Sequence, residues 1–459
     1  MDTNYVRLLS IELNNFKNVG YGKIEFSHKP SVCSNESPKS EILGIYGQNG
    51  SGKTAVIEAL DFLQKLMQGE SIPSDARNYI STTKDKAIIC FQFHLKSDKE
   101  EFYTWYKFSL AKDNNNDVLI SSEELSFSDL KLKRKTRCTL IKYDQSNEQT
   151  FSPTTRYNEL YSEKKENEIK IGVARSISKR EKRSFIFSNE LHELWELSQN
   201  PLWNSILLTL HNYAFSSLFV IQNKQNGIIN INFAIPISFK YEDEKKLSMG
   251  TIPVSLNEPA VFDVEKFNLV KKIVEDANVV MEALIPNLSI KIKEYGSQLT
   301  ATGKEGIRFE LVSIHNNETI PLRYESEGIK KIISIISLII TMYNNTSVCV
   351  AIDELDAGIF EYLLGELLSV IEETGKGQFI FTSHNLRPLE MIDNHSLLFT
   401  TTNPNNRYIR ITNVKSTNNL RNLYIRSICL GGQKEPIYEQ TETFKIRNAL
   451  RKAGRQNNE

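Results

Sequence analysis

The chain has 459 residues, with 56 basic and 56 acidic side chains, so its formal net charge is zero. This balance excludes a globally charged surface for nucleic acid or membranes, and any such surface must be local. Hydrophobic residues make up 40% of the chain and charged residues 24%, which is typical of a globular protein with a sizeable core. The length predicts either about three domains or one large α/β core with an insertion.

Cysteine spacing and hydropathy indicate a cytoplasmic protein without a membrane segment. The cysteines are far apart in sequence, and no pair has the spacing of a zinc site: Cys33, Cys90, Cys138, Cys349 and Cys429. We therefore expect reduced thiols, as in the cytosol. Residues 1–10 lack the apolar core of a signal peptide. The longest apolar stretch, residues 332–342, is too short to span a bilayer and predicts a buried helix.

Strand patterns dominate the first 127 residues. Alternation at residues 6–13 predicts a strand, with 23–26 as its partner, and the apolar segment 41–46 predicts a second strand that ends in a glycine-rich turn. A helix is expected from about residue 53 to 67, with Gly69 as its stop. Three more alternating segments predict an antiparallel sheet: residues 87–95, 101–110 and 117–127.

The character of the sequence changes between residues 128 and 260. Five basic residues fall in the seven positions 131–137, and a second charged stretch covers 163–183. Two helical segments, 189–199 and 202–215, are separated at Pro201. These basic stretches predict either contacts with nucleic-acid phosphates or solvated surface, because acidic residues lie close by.

A strong amphipathic helix is expected over residues 265–285, where apolar side chains recur at spacings of three and four. The face consists of Phe267, Val270, Val274, Ala277, Met281 and Leu284. It either packs on its own domain or contacts a partner chain.

Residues 47–54 match the P-loop pattern in full, and a strand before them and a helix after them supply the required context. Glycines let the backbone turn its N–H groups toward a phosphate, and the helix N-terminus adds a positive dipole there. Lys53 is expected to reach the β- and γ-phosphates of ATP, and the Thr54 hydroxyl to bind Mg²⁺. The predicted nucleotide contacts are Gly47, Gln48, Asn49, Gly50, Ser51, Gly52, Lys53 and Thr54.

Two carboxylates follow the continuous apolar run 348–352, which predicts a parallel strand buried on both faces. Carboxylates in that place need a cationic partner, because buried charge is costly. We expect Asp353 to hold Mg²⁺ and Glu354 to polarise the attacking water; a solvated acidic turn is the alternative. His384 follows the next apolar strand, 378–382, and is expected at the γ-phosphate, although a lone histidine is more often structural. The predicted catalytic residues are Glu354, His384 and Lys53.

The order of these motifs resembles the ATPase head of the ABC superfamily, in the branch that contains SMC proteins, RecF and OLD-type ATPases. The residues that carry the resemblance are Gly47–Thr54, Ser326-Glu327-Gly328, Ile352-Asp353-Glu354, Asp356 and His384. It implies an α/β fold: a mixed central sheet with the P-loop, an antiparallel β subdomain, a helical lobe and an inserted domain. It also implies Mg²⁺-dependent ATP hydrolysis.

In that family Ser326, Glu327 and Gly328 would be the signature motif. The motif begins a helix and contacts the γ-phosphate held by a second copy, so that two active sites are shared across a head-to-head dimer, and Asp356 joins the nucleotide contacts. The residues themselves allow this, since a helix start offers free N–H groups to an anion, but an ordinary serine N-cap is the alternative.

The resemblance divides the chain into four parts. Residues 1–127 would be the N-terminal ATPase half, 128–260 an inserted basic and helical domain, 261–415 the C-terminal ATPase half and 416–459 a tail.

Three positions depart from the family pattern. Glu327 stands where the transporter signature has a glycine, which fits the OLD-like branch better. Lys17 follows Asn15 and Phe16 where family members often have an arginine, and a lysine lacks the guanidinium fork. The glutamine loop of the family has no clear match, and Gln92, in an alternating strand, is a weak candidate for it.

The chain length and residues 383–390 resemble the compact ATPases of phage defence, as in the PARIS system. That resemblance implies a sensor that forms a higher oligomer, holds a separate TOPRIM nuclease and releases it on detecting a phage protein that mimics DNA. Two alternatives remain: a RecF- or SMC-like repair ATPase that binds DNA, and a nucleotide-gated scaffold with little turnover. The chain itself is not expected to be a nuclease, because the segment after His384 has no acidic cluster for two metals.

Overall fold

The computed structural model describes residues 4–26, 39–113, 117–147, 149–163, 166–198, 200–243, 246–316, 318–411 and 419–455. Its strands are β1 Tyr5–Phe16, β2 Val19–Glu25, β3 Glu41–Tyr46, β4 Lys86–Lys96, β5 Glu101–Lys112, β6 Val118–Asp129, β7 Cys138–Asp144, β8 Leu218–Ile221, β9 Ala234–Asp243, β10 Lys246–Ser255, β11 Ala260–Asp263, β12 Leu288–Leu299, β13 Glu305–His315, β14 Glu318–Pro321, β15 Cys349–Ile352, β16 Gln378–Thr382, β17 Leu397–Thr400 and β18 Tyr408–Ile409. Its α-helices are α1 Lys53–Met67, α2 Thr154–Glu163, α3 Glu166–Glu181, α4 Asn189–Leu197, α5 Pro201–Trp203, α6 Thr209–Ser216, α7 Lys224–Asn230, α8 Val264–Leu284, α9 Glu327–Asn344, α10 Glu361–Thr374, α11 Pro388–Met391, α12 Leu420–Leu430 and α13 Thr443–Arg455.

One sheet is antiparallel throughout, with the strand order β2-β1-β4-β5-β6-β7. The strands form where alternation predicted them, because every second side chain turns into the core while its neighbours face away. In β4, for example, Ala87, Ile89, Phe91 and Phe93 are fully buried. Gly69 adopts φ +73° just beyond α1, which confirms it as the helix stop.

The second large sheet has the order β18-β17-β3-β16-β15-β8 and is mixed. Strands β17, β3, β16, β15 and β8 run parallel, and only β18 is antiparallel. All four residues of β15 are buried, which confirms the prediction of a strand covered on both faces. Parallel strands end at the same edge of the sheet, so the loops after β3, β8, β15 and β16 meet there. The predicted α/β fold is confirmed.

Residues 128–260 are interleaved with both sheets. Strand β7 pairs with β6, and β8 completes the mixed sheet beside β15. The fully buried Glu123 of β6 accepts hydrogen bonds from Ser184 Oγ (2.5 Å) and Phe185 N (2.6 Å), which ties this segment to the antiparallel sheet. We expected residues 128–260 to form a separate inserted domain, because basic surface positions distinguish them in the sequence. In the structure, β7 and β8 of this segment instead pair with strands outside it.

Helices α8 and α9 pack against each other, and α9 also contacts β15 of the mixed sheet. The apolar side of α8 packs on β12 and β13, with Phe267, Val270 and Met281 buried, which confirms packing within its own chain. Residues 332–342 lie in α9, a largely buried helix that contacts β9 and α8. Among the described residues, no helix combines the length and the apolar character needed to cross a membrane.

Candidate functional site

The loop between β3 and α1 presents backbone N–H groups to a cavity. Gly50 and Gly52 have φ values of +74° and +96°, which glycine adopts without steric cost. Helix α1 begins at Lys53 and has no side-chain cap, so its first N–H groups are available to an anion. A cavity of about 630 Å³ lies over the loop, large enough for a nucleotide.

Lys53 is folded back onto the loop that precedes it. Its Nζ donates hydrogen bonds to the carbonyls of Gly47 (2.8 Å) and Gln48 (3.1 Å). Burial lowers the pKa of Lys53, and the nearby carboxylates of Asp353 and Glu354 oppose that shift. A bound phosphate would offer the ammonium a stronger, charged acceptor than these carbonyls.

Asp353 connects the end of β15 to the start of α1. Its Oδ1 lies 3.3 Å from Thr54 Oγ1 and 2.6 Å from Thr382 Oγ1, and the residue is only 3% exposed. In the described chain no lysine, arginine or histidine forms a salt bridge with it. A hydroxyl and a buried carboxylate at this spacing are oxygen ligands of the kind that Mg²⁺ prefers, so Thr54 and Asp353 fit the predicted metal role.

Glu354 lies next to this pair in an unusual conformation. Its φ is +50°, a left-handed value that non-glycine residues adopt only when the surroundings hold them. Thr382 Oγ1 accepts the Glu354 N–H at 2.8 Å. The side chain is held as well, because Asn223 Nδ2, which follows β8, donates to Glu354 Oε2 at 2.7 Å. The carboxylate is therefore fixed at the edge of the sheet where the P-loop lies.

Asp356 supports the loop that carries His384. Its Oδ2 accepts the backbone N–H groups of His384 and Asn385, both at 3.0 Å, while the His384 side chain is exposed. Asp356 thus fixes the loop after β16 through its backbone and leaves the imidazole accessible. The expected contact of Asp356 with the nucleotide stays a prediction.

The segment Ser326–Gly328 forms the start of α9, with Ser326 as its N-cap. Ser326 caps the helix by accepting the Ile329 N–H at 3.3 Å. Among the described residues, no hydrogen bond joins Ser326, Glu327 or Gly328 to residues 47–54. The Gly328 backbone instead packs on Gly358, since a Cβ at position 328 would lie 2.0 Å from the Gly358 carbonyl oxygen.

Exchange of Gly328 for alanine is expected to lower stability by roughly 1–3 kcal/mol, because the added methyl overlaps a backbone oxygen that has little freedom to move. Gly172 in α3 is the matched control. Nothing lies within 4 Å of a Cβ at that position, and alanine favours a helix by about 1 kcal/mol. Denaturant unfolding of both variants measures the difference. Equal stability of the two would contradict the close approach of Gly328 to Gly358.

Lys17 lines the cavity over the P-loop, but its charge is already paired. Its Nζ lies 2.6 Å from Glu58 Oε2 on α1 and 5.2 Å from the centre of the Tyr79 ring. Because Glu58 already pairs with this ammonium, Lys17 is not a free cation for a phosphate.

Gln92, the candidate for the glutamine loop, lies in the antiparallel sheet and not at the edge of the mixed sheet where the P-loop lies. Gln92 is in the middle of β4, opposite Ser10, whose hydroxyl it accepts at 3.3 Å. Gln222 and Asn223 instead follow β8 directly, at the shared edge of the mixed sheet. The strand β8 has only four residues and lies within a segment interpreted as helical. The apolar run at 218–221 followed by Gln-Asn was the signal that could have revealed it.

Residues from 400 onward also contact the P-loop, and no local pattern in the sequence predicted these contacts. Tyr408 Oη donates to the Gly52 carbonyl at 2.7 Å, and the Glu439 N–H donates to Gln48 Oε1 at 3.0 Å. Thr400 Oγ1 shares a hydrogen bond with Ser51 Oγ. These contacts join strands β17 and β18 and the following segment to the loop between β3 and α1.

The remaining predicted features lie outside this site. In the charged stretch 163–183, Arg183 and Arg180 pair with Glu181, and Lys182 with Asp117, as a solvated surface would. Cys90, Cys138, Cys349 and Cys429 are free thiols, whereas Cys33 lies outside the described residues. In the part of the chain that the structure describes, no cluster of three His, Cys, Asp or Glu residues could hold a metal ion.

Comparison with known proteins places this site in a family. A search of curated proteins found no match. One similar solved structure is an SMC head bound to the C-winged helix domain of ScpA, with 13% sequence identity and a TM-score of 0.41; the match covers 88% of this chain and 98% of that one. Another is the SMC head domain from Thermotoga maritima, with 14% identity and a TM-score of 0.39; the match covers 88% of this chain and 99% of that one. A third is the recombination mediator protein RecF with ATP, with 14% identity and a TM-score of 0.34; the match covers 83% of this chain and 94% of that one.

At these identities and TM-scores the solved structures decide nothing about function. Residues 7–387, however, match the AAA_15 family model, described as an AAA ATPase domain. Because that match covers well over half of the chain, the protein belongs to the AAA_15 family of AAA ATPase domains.

Proposed function

We propose that this protein binds ATP with Mg²⁺ at residues 47–54 and hydrolyses the γ-phosphate bond. The contact between Thr54 Oγ1 and Asp353 Oδ1, at 3.3 Å, is the observation that carries the proposal, since it joins the phosphate loop to the carboxylates after β15. Lys53 would neutralise the β- and γ-phosphates. Glu354 would activate the attacking water, and His384 would contact the γ-phosphate from the loop after β16.

A second copy of the chain would complete each site. The N-terminus of α9 at Ser326, Glu327 and Gly328 would contribute N–H groups and helix dipole to the γ-phosphate bound by its partner. The support is that Ser326 is the N-cap of α9, because the first N–H groups of a helix have no acceptor within it. Such an interface is reciprocal, so a head-to-head pair would contain two sites.

ATP binding is tested with purified protein by titration calorimetry, in the presence of Mg²⁺. Wild-type protein is expected to bind ATP, and Lys53→Ala to bind it at least about 10-fold more weakly, because a charge-assisted contact to phosphate is lost. Lys65→Ala, on the same helix and paired with Asp61 at 2.7 Å, is the matched control and should bind like wild type. No heat of binding from folded wild-type protein would refute the proposal.

Beyond ATP turnover, we propose an anti-phage role, as the sensor of a defence system like PARIS, whose ATPase subunit is AriA. In the cytoplasm a higher oligomer would hold a separate TOPRIM-type nuclease and release it when a phage protein that mimics DNA is detected. The support is the sequence of residues 383–390 and the chain length. The test is phage challenge of cells that express the protein with a nuclease encoded beside it. Protection that persists in Lys53→Ala cells would argue against this role.

A DNA-binding repair ATPase is the second candidate, and exposed basic groups favour it. Helix α13 contains no acidic residue, and its Arg447, Arg451 and Lys452 are exposed, as are residues 131–137. Binding of a labelled duplex should then weaken steeply between about 50 and 200 mM salt. Affinity that does not change with salt would remove the basic surfaces from the argument. A scaffold with little turnover is distinguished from both candidates by the rate of hydrolysis.

A further inference from the structure

Glu354 has a backbone contact with the helix that begins at the signature motif. Lys331 Nζ, on α9, donates a hydrogen bond to the Glu354 carbonyl oxygen. With the Glu354 N–H bonded to Thr382 Oγ1 at 2.8 Å, both polar backbone atoms of this left-handed residue are held by other elements. The conformation of Glu354 therefore depends on where α9 lies.

Lys331 is an unusual residue for its position. It is only 3% exposed, and among the described residues the Glu354 carbonyl is its one hydrogen-bond acceptor. Burial lowers the pKa of Lys331 to about 8, against the opposing charges of Asp356, Glu354 and Asp353. A buried ammonium is costly, whereas an apolar side chain of the same length would pack without that cost. The contact with the loop after β15, and not packing, therefore explains why a lysine occupies this buried position.

The same helix contacts this loop at a second point. Gly328, three residues before Lys331, packs directly on the backbone of Gly358. Two contacts, one turn apart on α9, hold the loop from Asp353 to Gly358 against the start of the helix. Helix and loop should consequently shift together, and a displaced helix would displace the Glu354 carboxylate.

We propose that Lys331 is a positioning residue for ATP hydrolysis, which holds the backbone of Glu354 so that its carboxylate meets the attacking water. This inference rests on the proposed function of Glu354. Lys331 itself does not contact the nucleotide, so its loss changes the chemical step and leaves ATP binding unaltered. A misplacement of about 1 Å in a reacting group can lower a rate by 10²-fold.

The test compares Lys331→Met with Lys330→Met. Lys330 is the matched control, because it is the neighbouring residue, is equally buried at 3%, and bonds away from the site to Asn232 Oδ1 at 2.6 Å. Lys331→Met is expected to lower kcat about 10- to 100-fold, because the Glu354 carboxylate would be misplaced. KM and the Kd for ATP should stay within about two-fold of wild type, since Lys331 acts on the chemical step and not on binding. Lys330→Met should keep the wild-type kcat, and Lys331→Arg, which retains an N–H donor, should recover most of the loss.

A further variant shows whether Lys331 acts through Glu354. On a Glu354→Gln background, Lys331→Met should cause no additional loss, since the group it positions is already disabled. Wild-type kcat in Lys331→Met, an equal fall in both Met variants, or a parallel loss of ATP affinity would overturn the proposal. Should Lys331→Met not fold, Lys331→Arg and Lys331→Gln decide, because the glutamine amide nitrogen is one bond closer to Cα than Lys Nζ and falls short of the Glu354 carbonyl. Equal activity of these two variants would overturn the proposal. Wild-type hydrolysis by Glu354→Gln would instead refute the role of Glu354 itself.

Discussion

Exchange of Glu354 for glutamine is expected to lower kcat for ATP hydrolysis by about 10²–10⁴-fold, the usual contribution of a general base. The amide is nearly isosteric with the carboxylate, and Glu354 donates to Thr382 Oγ1 through its backbone N–H, which the exchange does not alter. The loop should therefore keep its shape, and Thr54, Asp353 and Lys53 remain to bind the nucleotide. Phosphate release measures kcat, and calorimetry measures the Kd for ATP, which should stay near the wild-type value.

The matched control for this prediction is Glu366→Gln, an exposed carboxylate on α10. It carries the same change in charge and should hydrolyse ATP at the wild-type rate. If Glu354→Gln kept wild-type hydrolysis, the base would have to be another group. If wild-type protein itself bound ATP but showed no hydrolysis, the nucleotide-gated scaffold would replace the ATPase.

Mixing two inactive variants is expected to restore hydrolysis if the site is shared between copies. Lys53→Ala removes the phosphate contact of one half-site, and Ser326→Arg places a bulky cation at the α9 start that would face the other copy. In an equimolar mixture, half of the dimers would be mixed, and each mixed dimer would contain one intact site of two. The expected activity is thus up to about a quarter of the wild-type rate, as for random pairing across a two-fold interface.

This experiment needs a control for folding, because Ser326 also caps α9 through the Ile329 N–H at 3.3 Å. Ser326→Ala loses that cap, which costs about 1 kcal/mol, but adds no bulk. Unfolding curves for Ser326→Ala and Ser326→Arg separate the loss of the cap from the loss of the interface. Activity that never exceeds the sum of the two separate variants, at any mixing ratio, would indicate a site contained within one chain. Mass measurement with and without ATP shows whether copies assemble at all.

Several parts of the site could be predicted from local sequence alone. A P-loop requires glycines, a lysine and a hydroxyl residue at fixed spacing, because one turn and one helix start form the whole cradle. Strands β3, β15 and β16 were equally predictable, since central parallel strands are continuous apolar runs. The nucleotide roles of Asp353 and Glu354 were predicted in the same way, because charged groups directly after such a run require a cation.

Other parts depended on contacts between segments that are far apart in the chain. Strand β8 is a short apolar run, but only its pairing with β15 shows that Gln222 and Asn223 lie at the site. The hydrogen bond that Asp356 accepts from the His384 N–H, at 3.0 Å, likewise joins two segments whose contact no local pattern indicates. Neither pairing partners nor hydrogen-bond acceptors can be inferred from spacing across such intervals.

By itself the sequence determined the phosphate-binding chemistry, because that chemistry needs only neighbouring residues in a fixed order. It also determined the class of fold, through apolar runs and alternating strands. Only the tertiary structure decided that residues 128–260 are interleaved with both sheets, and that Lys331 holds Glu354. Those features arise from packing between distant segments, and neither the pairing partner of a strand nor the acceptor of a buried lysine can be inferred from neighbouring residues.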